Sequence, residues 1–256
     1  MTKLGQHFLT DKRALKKIAE LLDLKKSDLV LEIGPGHGEL TEQIASYGCE
    51  INAIEKDGQL AEFLNKKFSG NEKIKIMNGD ALKVLPSLIE NCKLKIENYK
   101  LIGNIPYYIT GKLLRTIGEL PYKPRLSVLT IQKEVAERLA SKPPRMNRLA
   151  ASVQFWAKPE IAFILPKDFF RPRPEVDSAT IVLRPAVNGG ADEKAYYKMV
   201  RVIFRQPRKT VLNNLAAALE IPKDEIETGL KKAGIEPNSR PQNLSLEDIF
   251  KLASNF

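Results

Sequence analysis

Histidine and cysteine are scarce in this chain: its 256 residues hold two of each. His7, His37, Cys49 and Cys92 are scattered, with no CxxC pair. A disulfide framework is excluded, and a reduced, cytoplasmic setting is expected. Two histidines and two cysteines scattered in this way, without metal-ligand spacing, do not suggest a zinc centre, so no metal is expected and any chemistry must use other groups. Long apolar runs are also missing. None approaches the roughly 20 residues of a membrane helix, so no membrane partner is expected. The opening "MTKLGQHFLTDKR" has no apolar core and no cleavage site, so no secretory signal is expected. Acids are outnumbered, 31 Asp and Glu against 41 Lys and Arg, for a net charge of +10. The shortage is local. No acid lies between Glu137 and Glu160, a stretch that carries Arg138, Lys142, Arg145, Arg148 and Lys158. None lies between Glu193 and Glu220, where Lys194, Lys198, Arg201, Arg205, Arg208 and Lys209 fall. Charge segregated in this way predicts binding to a phosphate backbone rather than a mixed solvated surface.

What the chain does have is 43% hydrophobic residues, enough for a large core. Its first half alternates strand and helix signals. "DLVLEI" (28–33), "EINAIE" (50–55), "KIKIMN" (73–78), "YKLIGN" (99–104) and "RLSVLTI" (125–131) read as strands. Helical patterns separate several of them, which predicts an α/β fold with a mostly parallel sheet. "EIAFIL" (160–165) and "SATIVL" (178–183) follow without an intervening helix and are expected to pair at an antiparallel edge. "AVNGGADEK" then reads as a linker, and helical patterns run from Tyr196 to the end. The expected division is a catalytic domain over 1–186 and a small all-α domain over 187–256.

The chemistry-bearing motifs sit where strands end. In "EIGPGHGEL" (32–40), Gly34, Gly36 and Gly38 permit a tight turn and close backbone approach to a ligand. The spacing is GxGxG. A dinucleotide fingerprint would need a glycine at Glu39, so a nucleoside-type ligand without phosphates is expected. Glu55 ends the second strand, where a carboxylate can accept from both ribose hydroxyls. Asp80 follows the third, where it can accept from an adenine amino group. In open α/β sheets ligands bind at these carboxyl ends. Together the three resemble the S-adenosylmethionine site of the Rossmann-like methyltransferases.

"LIGNIPYYITGK" (101–112) follows the fourth strand. A nucleobase amine is a poor nucleophile because its lone pair is delocalised into the ring. Acceptors on both of its N–H bonds favour rehybridisation and aim the lone pair at a methyl donor. The Asn104 side-chain oxygen supplies one acceptor. The Ile105 carbonyl, held out by Pro106, supplies the other, and Tyr107 is a shelf for a base taken out of its stack. A sulfonium is already strongly electrophilic, so no further acid, base or metal is required.

The chain resembles the rRNA adenine N6,N6-dimethyltransferases over nearly its whole length. "GQHFL", "EIGPGHGELT", "IEKD", "NGDA", "GNIPYYI", "FFRPRPEVDSATIVLRP" and "SRPQNLSLEDI" occur in the family's order. The resemblance implies a class I methyltransferase fold with a seven-stranded sheet and S-adenosyl-L-methionine as cofactor. It implies cofactor contacts from His7, Leu9, Gly34, Gly36, Glu55, Asp80 and Asn104. Base handling would fall to Asn104, Ile105, Pro106, Tyr107 and Phe170, with Phe170 packed against the adenine opposite Tyr107. RNA contacts are expected from Arg145, Arg148 and a basic C-terminal helix carrying Arg201, Arg205, Arg208 and Lys209. The closest branch dimethylates two adjacent adenosines in a hairpin near the 3′ end of small-subunit rRNA during ribosome biogenesis. Its partner would be the immature small subunit, bound by a monomer. Two alternatives stand beside it: a large-subunit rRNA methyltransferase of the macrolide-resistance type, and a non-enzymatic assembly or RNA-binding factor on the same fold. The chain departs from the family at three places: Tyr108 where Asn is usual, His7 where many members carry Asn, and "MNRL" (146–149) in place of Tyr-Gly-Arg-Leu.

Overall fold

A computed structural model describes residues 6–91, 99–186, 190 and 192–256. Cys92 and part of the expected linker, residues 187–189 and 191, lie outside them. The chain begins β1 (Phe8–Leu9), α1 (Lys12–Glu20), β2 (Leu29–Ile33), α2 (Glu39–Ala45), β3 (Glu50–Glu55), α3 (Gly58–Lys67), β4 (Ile74–Asn78) and α4 (Ala81–Asn91). It continues β5 (Tyr99–Asn104), α5 (Thr110–Glu119), β6 (Leu126–Gln132), α6 (Lys133–Leu139), α7 (Arg148–Gln154), β7 (Ala157–Leu165), β8 (Phe170–Arg171) and β9 (Ser178–Pro185). Four helices follow: α8 (Glu193–Ile203), α9 (Val211–Leu219), α10 (Lys223–Lys232) and α11 (Leu246–Asn255). No described helix is long and apolar enough to cross a membrane.

Seven strands form one sheet in the order β4-β3-β2-β5-β6-β9-β7. β2 pairs in parallel with β3 and β5, β3 with β4, and β5 with β6, while β9 runs antiparallel to β6. This is the mostly parallel seven-stranded sheet that the alternation predicts. The central strands are buried along nearly their whole length, as parallel strands covered on both faces must be. β7 lies next to β9 at the edge, and its residues alternate in burial. The chain builds outward from β2 through β3 to β4, then returns to β5 on the other side of β2. That reversal opens a crevice at the carboxyl ends of β2 and β5.

The short pair β1 and β8 forms a separate two-stranded sheet, with Phe8 opposite Arg171 and Leu9 opposite Phe170. Two-residue strands carry no periodicity, so the sequence does not announce them.

The chain divides into two packing units, 1–136 with 158–185, and 137–157 with 186–256. The sequence boundary at 186 places 137–157 with the sheet, but this segment packs with the C-terminal helices. The cause is aromatic. Phe155 meets Tyr196, Tyr197 and Phe250 at ring-centroid distances of 4.6, 5.2 and 5.8 Å. Tyr196 and Tyr197 donate their hydroxyls to the carbonyls of Ala151 and Ser152, at 2.9 and 3.2 Å. Large rings with a satisfied polar tip supply more burial here than the neighbouring alanines could.

Candidate active site

Between β2 and α2 the backbone turns on Gly34, Gly36 and Gly38, all in the left-handed region. Gly36 has φ of 60°, and a Cβ there would lie 2.8 Å from the Phe8 ring, so both conformation and space require glycine. The Gly36 N–H donates to Glu55 Oε2 at 3.1 Å, and the Asp57 N–H donates to Oε1 at 2.9 Å. Glu55 is 2% exposed. Burial raises its pKa, and the backbone hydrogen bonds oppose that rise. The carboxylate therefore shapes the glycine loop and still has lone pairs for a ligand. Glu32, on β2, is also buried. Desolvation raises its pKa to about 7, although Thr41 donates to Oε2 at 2.7 Å. Among the described residues Glu32 Oε1 has no hydrogen-bond partner.

Asp80 lies just past β4. Its Oδ1 accepts from the Leu82 N–H at 3.0 Å, and its Oδ2 accepts from Lys56 Nζ at 2.9 Å. The Lys56 hydrogen bond is the main reason its pKa is lowered. An adenine amine would share this carboxylate with Lys56, a residue the motif reading passed over although it stands inside "IEKD". Glu55, Lys56, Asp80 and Asn104 line one cleft with the apolar walls Ile33, Ile54 and Ile105. It encloses about 780 Å³ of empty space, counted out to its mouth. Lys56 is the one Lys or Arg among the described lining residues, and it is already paired. Acceptors and apolar walls without a free cationic cluster suit a nucleoside that carries no phosphate.

The fourth strand end completes the cleft. Ile105 donates its N–H to the Thr130 carbonyl at 3.0 Å, and Pro106, with φ of −54°, fixes the peptide that carries the Ile105 carbonyl. Gly103 has a reason the sequence does not show: a Cβ there would run into the Ile33 carbonyl oxygen of β2. Asn104 donates from Nδ2 to the His7 carbonyl at 2.8 Å. Tyr107 is half-buried, with its hydroxyl 2.8 Å from Ser178 Oγ, and burial raises its pKa, which keeps the phenol neutral.

His7, Gly34, Gly36, Glu55, Asp80, Asn104, Ile105, Pro106, Tyr107 and Phe170 are thus brought to one cleft. Leu9 is not. Successive strand residues point to opposite faces, so Leu9 enters the core at 5% exposure while Phe8 takes the cleft side. Phe170 borders the cleft but belongs to the same core cluster and is 1% exposed. A base can stack on it only where the cleft uncovers it, which leaves Tyr107 as the more open shelf. Tyr108 is 56% exposed at the rim of the cleft that Lys56 also lines, and the Lys56 pKa is raised chiefly by its hydrogen bond to Asp80.

The six basic candidates all fall in the second packing unit and are all exposed. None has an ion-pair partner among the described residues. Of the four expected on a basic helix, only Arg201 is helical. α8 ends at Ile203, and Arg205, Arg208 and Lys209 lie in the turn around Pro207 before α9. The buried Asn214 holds this turn: Oδ1 accepts from the Gln206 N–H at 3.0 Å, and Nδ2 donates to the Gln206 and Thr210 carbonyls at 3.1 and 3.0 Å. Nothing in the one-dimensional pattern distinguishes Asn214 from its neighbour Asn213, the other polar residue of an apolar helix.

A glycine loop, paired carboxylates and an amide-proline turn at the switch point of this sheet define a Rossmann-like class I methyltransferase, the class that draws its methyl group from S-adenosylmethionine. Comparison with known proteins narrows the class. The family model for ribosomal RNA adenine dimethylase matches residues 1–256. Ribosomal RNA small subunit methyltransferase A of Dehalococcoides mccartyi is 39% identical over 248 residues, covering 96% of this chain and 84% of that protein. The protein of the same name from Listeria monocytogenes is 36% identical over 263 residues, covering 99% and 89%. Among solved structures, a dimethyladenosine transferase from Plasmodium falciparum aligns with a TM-score of 0.80 at 25% identity, covering 96% of this chain and 95% of that one. The 23S rRNA methyltransferase ErmE aligns at 0.75 and 27%, covering 97% and 98%. The chain belongs to the ribosomal RNA adenine dimethylase family and is an S-adenosylmethionine-dependent enzyme of that activity.

Proposed function

We propose that the protein dimethylates N6 of two adjacent adenosines in a hairpin near the 3′ end of small-subunit rRNA. It would act as a cytoplasmic monomer on the immature small subunit. The observation that carries the chemistry is the set Asn104, Ile105, Pro106 and Tyr107 at the end of β5, in the same cleft as Gly36, Glu55 and Asp80. The small-subunit assignment is supported by relatives of that name at 34–39% identity over nearly the whole chain.

Gly34, Gly36, Glu55 and Asp80 would hold S-adenosylmethionine. The donor set fits: a buried carboxylate, Glu55, for hydroxyl groups, a part-exposed one, Asp80, for an amino group, and a turn in which a Cβ at Gly36 has no room. When bound, the cofactor supplies a methyl group on an electrophilic sulfonium. The protein's part is to prepare the amine. Asn104 Oδ1 and the Ile105 carbonyl accept its two N–H bonds, which raises lone-pair density on nitrogen and favours sp3 geometry. Tyr107 holds the extruded base by stacking. Unstacking costs a few kcal/mol, and the shelf returns part of it. The exposed cations of the second unit would bind rRNA phosphates.

The test is to supply labelled cofactor to immature small subunits and to protein-free large-subunit rRNA, then map the modified nucleotides. Dimethylation of paired adenosines in the small-subunit RNA is expected. Label entering only the large-subunit RNA would replace this reading with the resistance-type one.

A further inference from the structure

The N-terminal segment from His7 to Leu9 touches three of the base-handling residues, Asn104, Tyr107 and Phe170. The His7 carbonyl accepts from Asn104 Nδ2 at 2.8 Å. The His7 ring lies 5.7 Å from the Tyr107 ring, tilted by 30°. Leu9 pairs with Phe170. The strand is itself clamped. His7 Nδ1 lies 2.8 Å from the Pro172 carbonyl oxygen, and the Thr10 N–H and hydroxyl both donate to the Phe169 carbonyl, at 2.8 and 3.1 Å.

The amide contact matters because an asparagine side chain has two ends of nearly equal size and opposite chemistry. With one end outward it offers an acceptor to the target amine. Turned half a revolution, it offers two donors, which would oppose the amine's own N–H bonds. A backbone carbonyl only accepts, so the His7 carbonyl selects the Nδ2 end and leaves Oδ1 for the amine. We infer that His7 is a positioning residue for methyl transfer: its carbonyl fixes the direction of the Asn104 amide, and its side chain, clipped to Pro172 and set against Tyr107, keeps that carbonyl in place. The inference rests on the acceptor role proposed above for Asn104. It assigns to the strand an effect on the target base separate from any contact with the cofactor.

The carbonyl cannot be removed, so the test removes its anchor. In His7→Ala, the single-turnover rate at saturating cofactor and RNA should fall about tenfold, the scale of a small misplacement at a reacting group. The cofactor Kd, measured by calorimetry, should stay within about threefold. His7→Asn keeps an N–H that reaches the Pro172 carbonyl and should restore most of the rate. Asn104→Asp retains two acceptor oxygens but faces the His7 carbonyl with a negative charge. It should lose at least about 100-fold in rate with RNA binding unchanged. Melting by circular dichroism confirms that each variant is folded. An unchanged His7→Ala rate overturns the inference. So does a rate loss matched by an equal loss of cofactor affinity, a His7→Asn rate as low as that of His7→Ala, or a near-parental Asn104→Asp rate. All rates are taken relative to the parent on whichever RNA it methylates. A parent that leaves small-subunit rRNA unmodified therefore counts against the proposed substrate and not against His7.

Discussion

Charge is used in opposite ways in the two packing units. Around the cleft it is acidic and sequestered. Glu32 and Glu55 are buried, and Asp80 is tied to Lys56 and to the backbone of α4. In the helical unit it is basic and open, with Arg145, Arg148, Arg201, Arg205, Arg208 and Lys209 exposed and without ion pairs among the described residues. Buried groups act through hydrogen bonds whose geometry fixes individual atoms and which salt screens little. Exposed cations act over about 8–10 Å through a field that salt weakens. On the proposed function, one unit orients the reaction and the other gathers a polyanion, and the two tasks should fail independently.

Asn104→Ala should break the first task most sharply. It removes an acceptor from the target amine and the donor to the His7 carbonyl. Single-turnover transfer should fall about 1000-fold, roughly 4 kcal/mol of transition-state stabilisation. RNA binding, measured by filter retention, should remain at the parental level. Loss of binding together with rate would show that the cleft also gathers the RNA, and the comparison would collapse. Unchanged transfer would remove the acceptor role.

Replacing Arg201, Arg205, Arg208 and Lys209 together by Gln should do the reverse. Each phosphate contact contributes roughly 0.7–0.9 to the slope of log K against log salt, so four should flatten it by about 3. Affinity at low salt should drop about 100-fold, while transfer at saturating RNA stays within about twofold. An unchanged slope would mark these side chains as an ordinary solvated surface. Gln is chosen so that the turn held by Asn214 keeps its backbone hydrogen bonds.

The two units also differ in how readily the sequence betrays them. The parallel strands were legible because, buried on both faces, they are apolar runs with glycine or acid at their ends, and the residues that line the cleft were legible because they stand at those ends. The core-facing side chain of Leu9 carries no such signal, because a two-residue strand gives no alternation to count. Gly103 and Asn214 carry no local signal, since what constrains them is a carbonyl of another strand and the backbone of a turn. The domain boundary was hidden for a similar reason. Phe155 reads as a generic apolar residue until Tyr196 and Phe250, far along the chain, supply its partners.

The smallest predicted effect sharpens the contrast from the side of burial. Glu32 is fully enclosed, one of its oxygens has no partner among the described residues, and burial raises its pKa to about 7 against an ordinary 4.5. A folded-state pKa above the unfolded one means that the native state holds the proton more tightly. The associated stability is complete below about pH 4.5 and is lost as pH rises toward about 7, because the unfolded chain releases its proton first. Glu32→Gln has no such proton. Its absolute stability is not the useful quantity, since an added N–H₂ needs a partner that the parent lacks. The useful quantity is the difference from the parent, which should move in favour of the variant by about 1–3 kcal/mol between pH 5 and 7.5. In melting temperature that is a relative gain of a few degrees for a chain of this size. The same scan on the quadruple Gln variant should run parallel to the parent, because that variant keeps Glu32. A parallel pH profile for Glu32→Gln and the parent would mean that Glu32 ionises as freely as a surface carboxylate, and that the sheet beneath the cleft is wetter than its burial indicates.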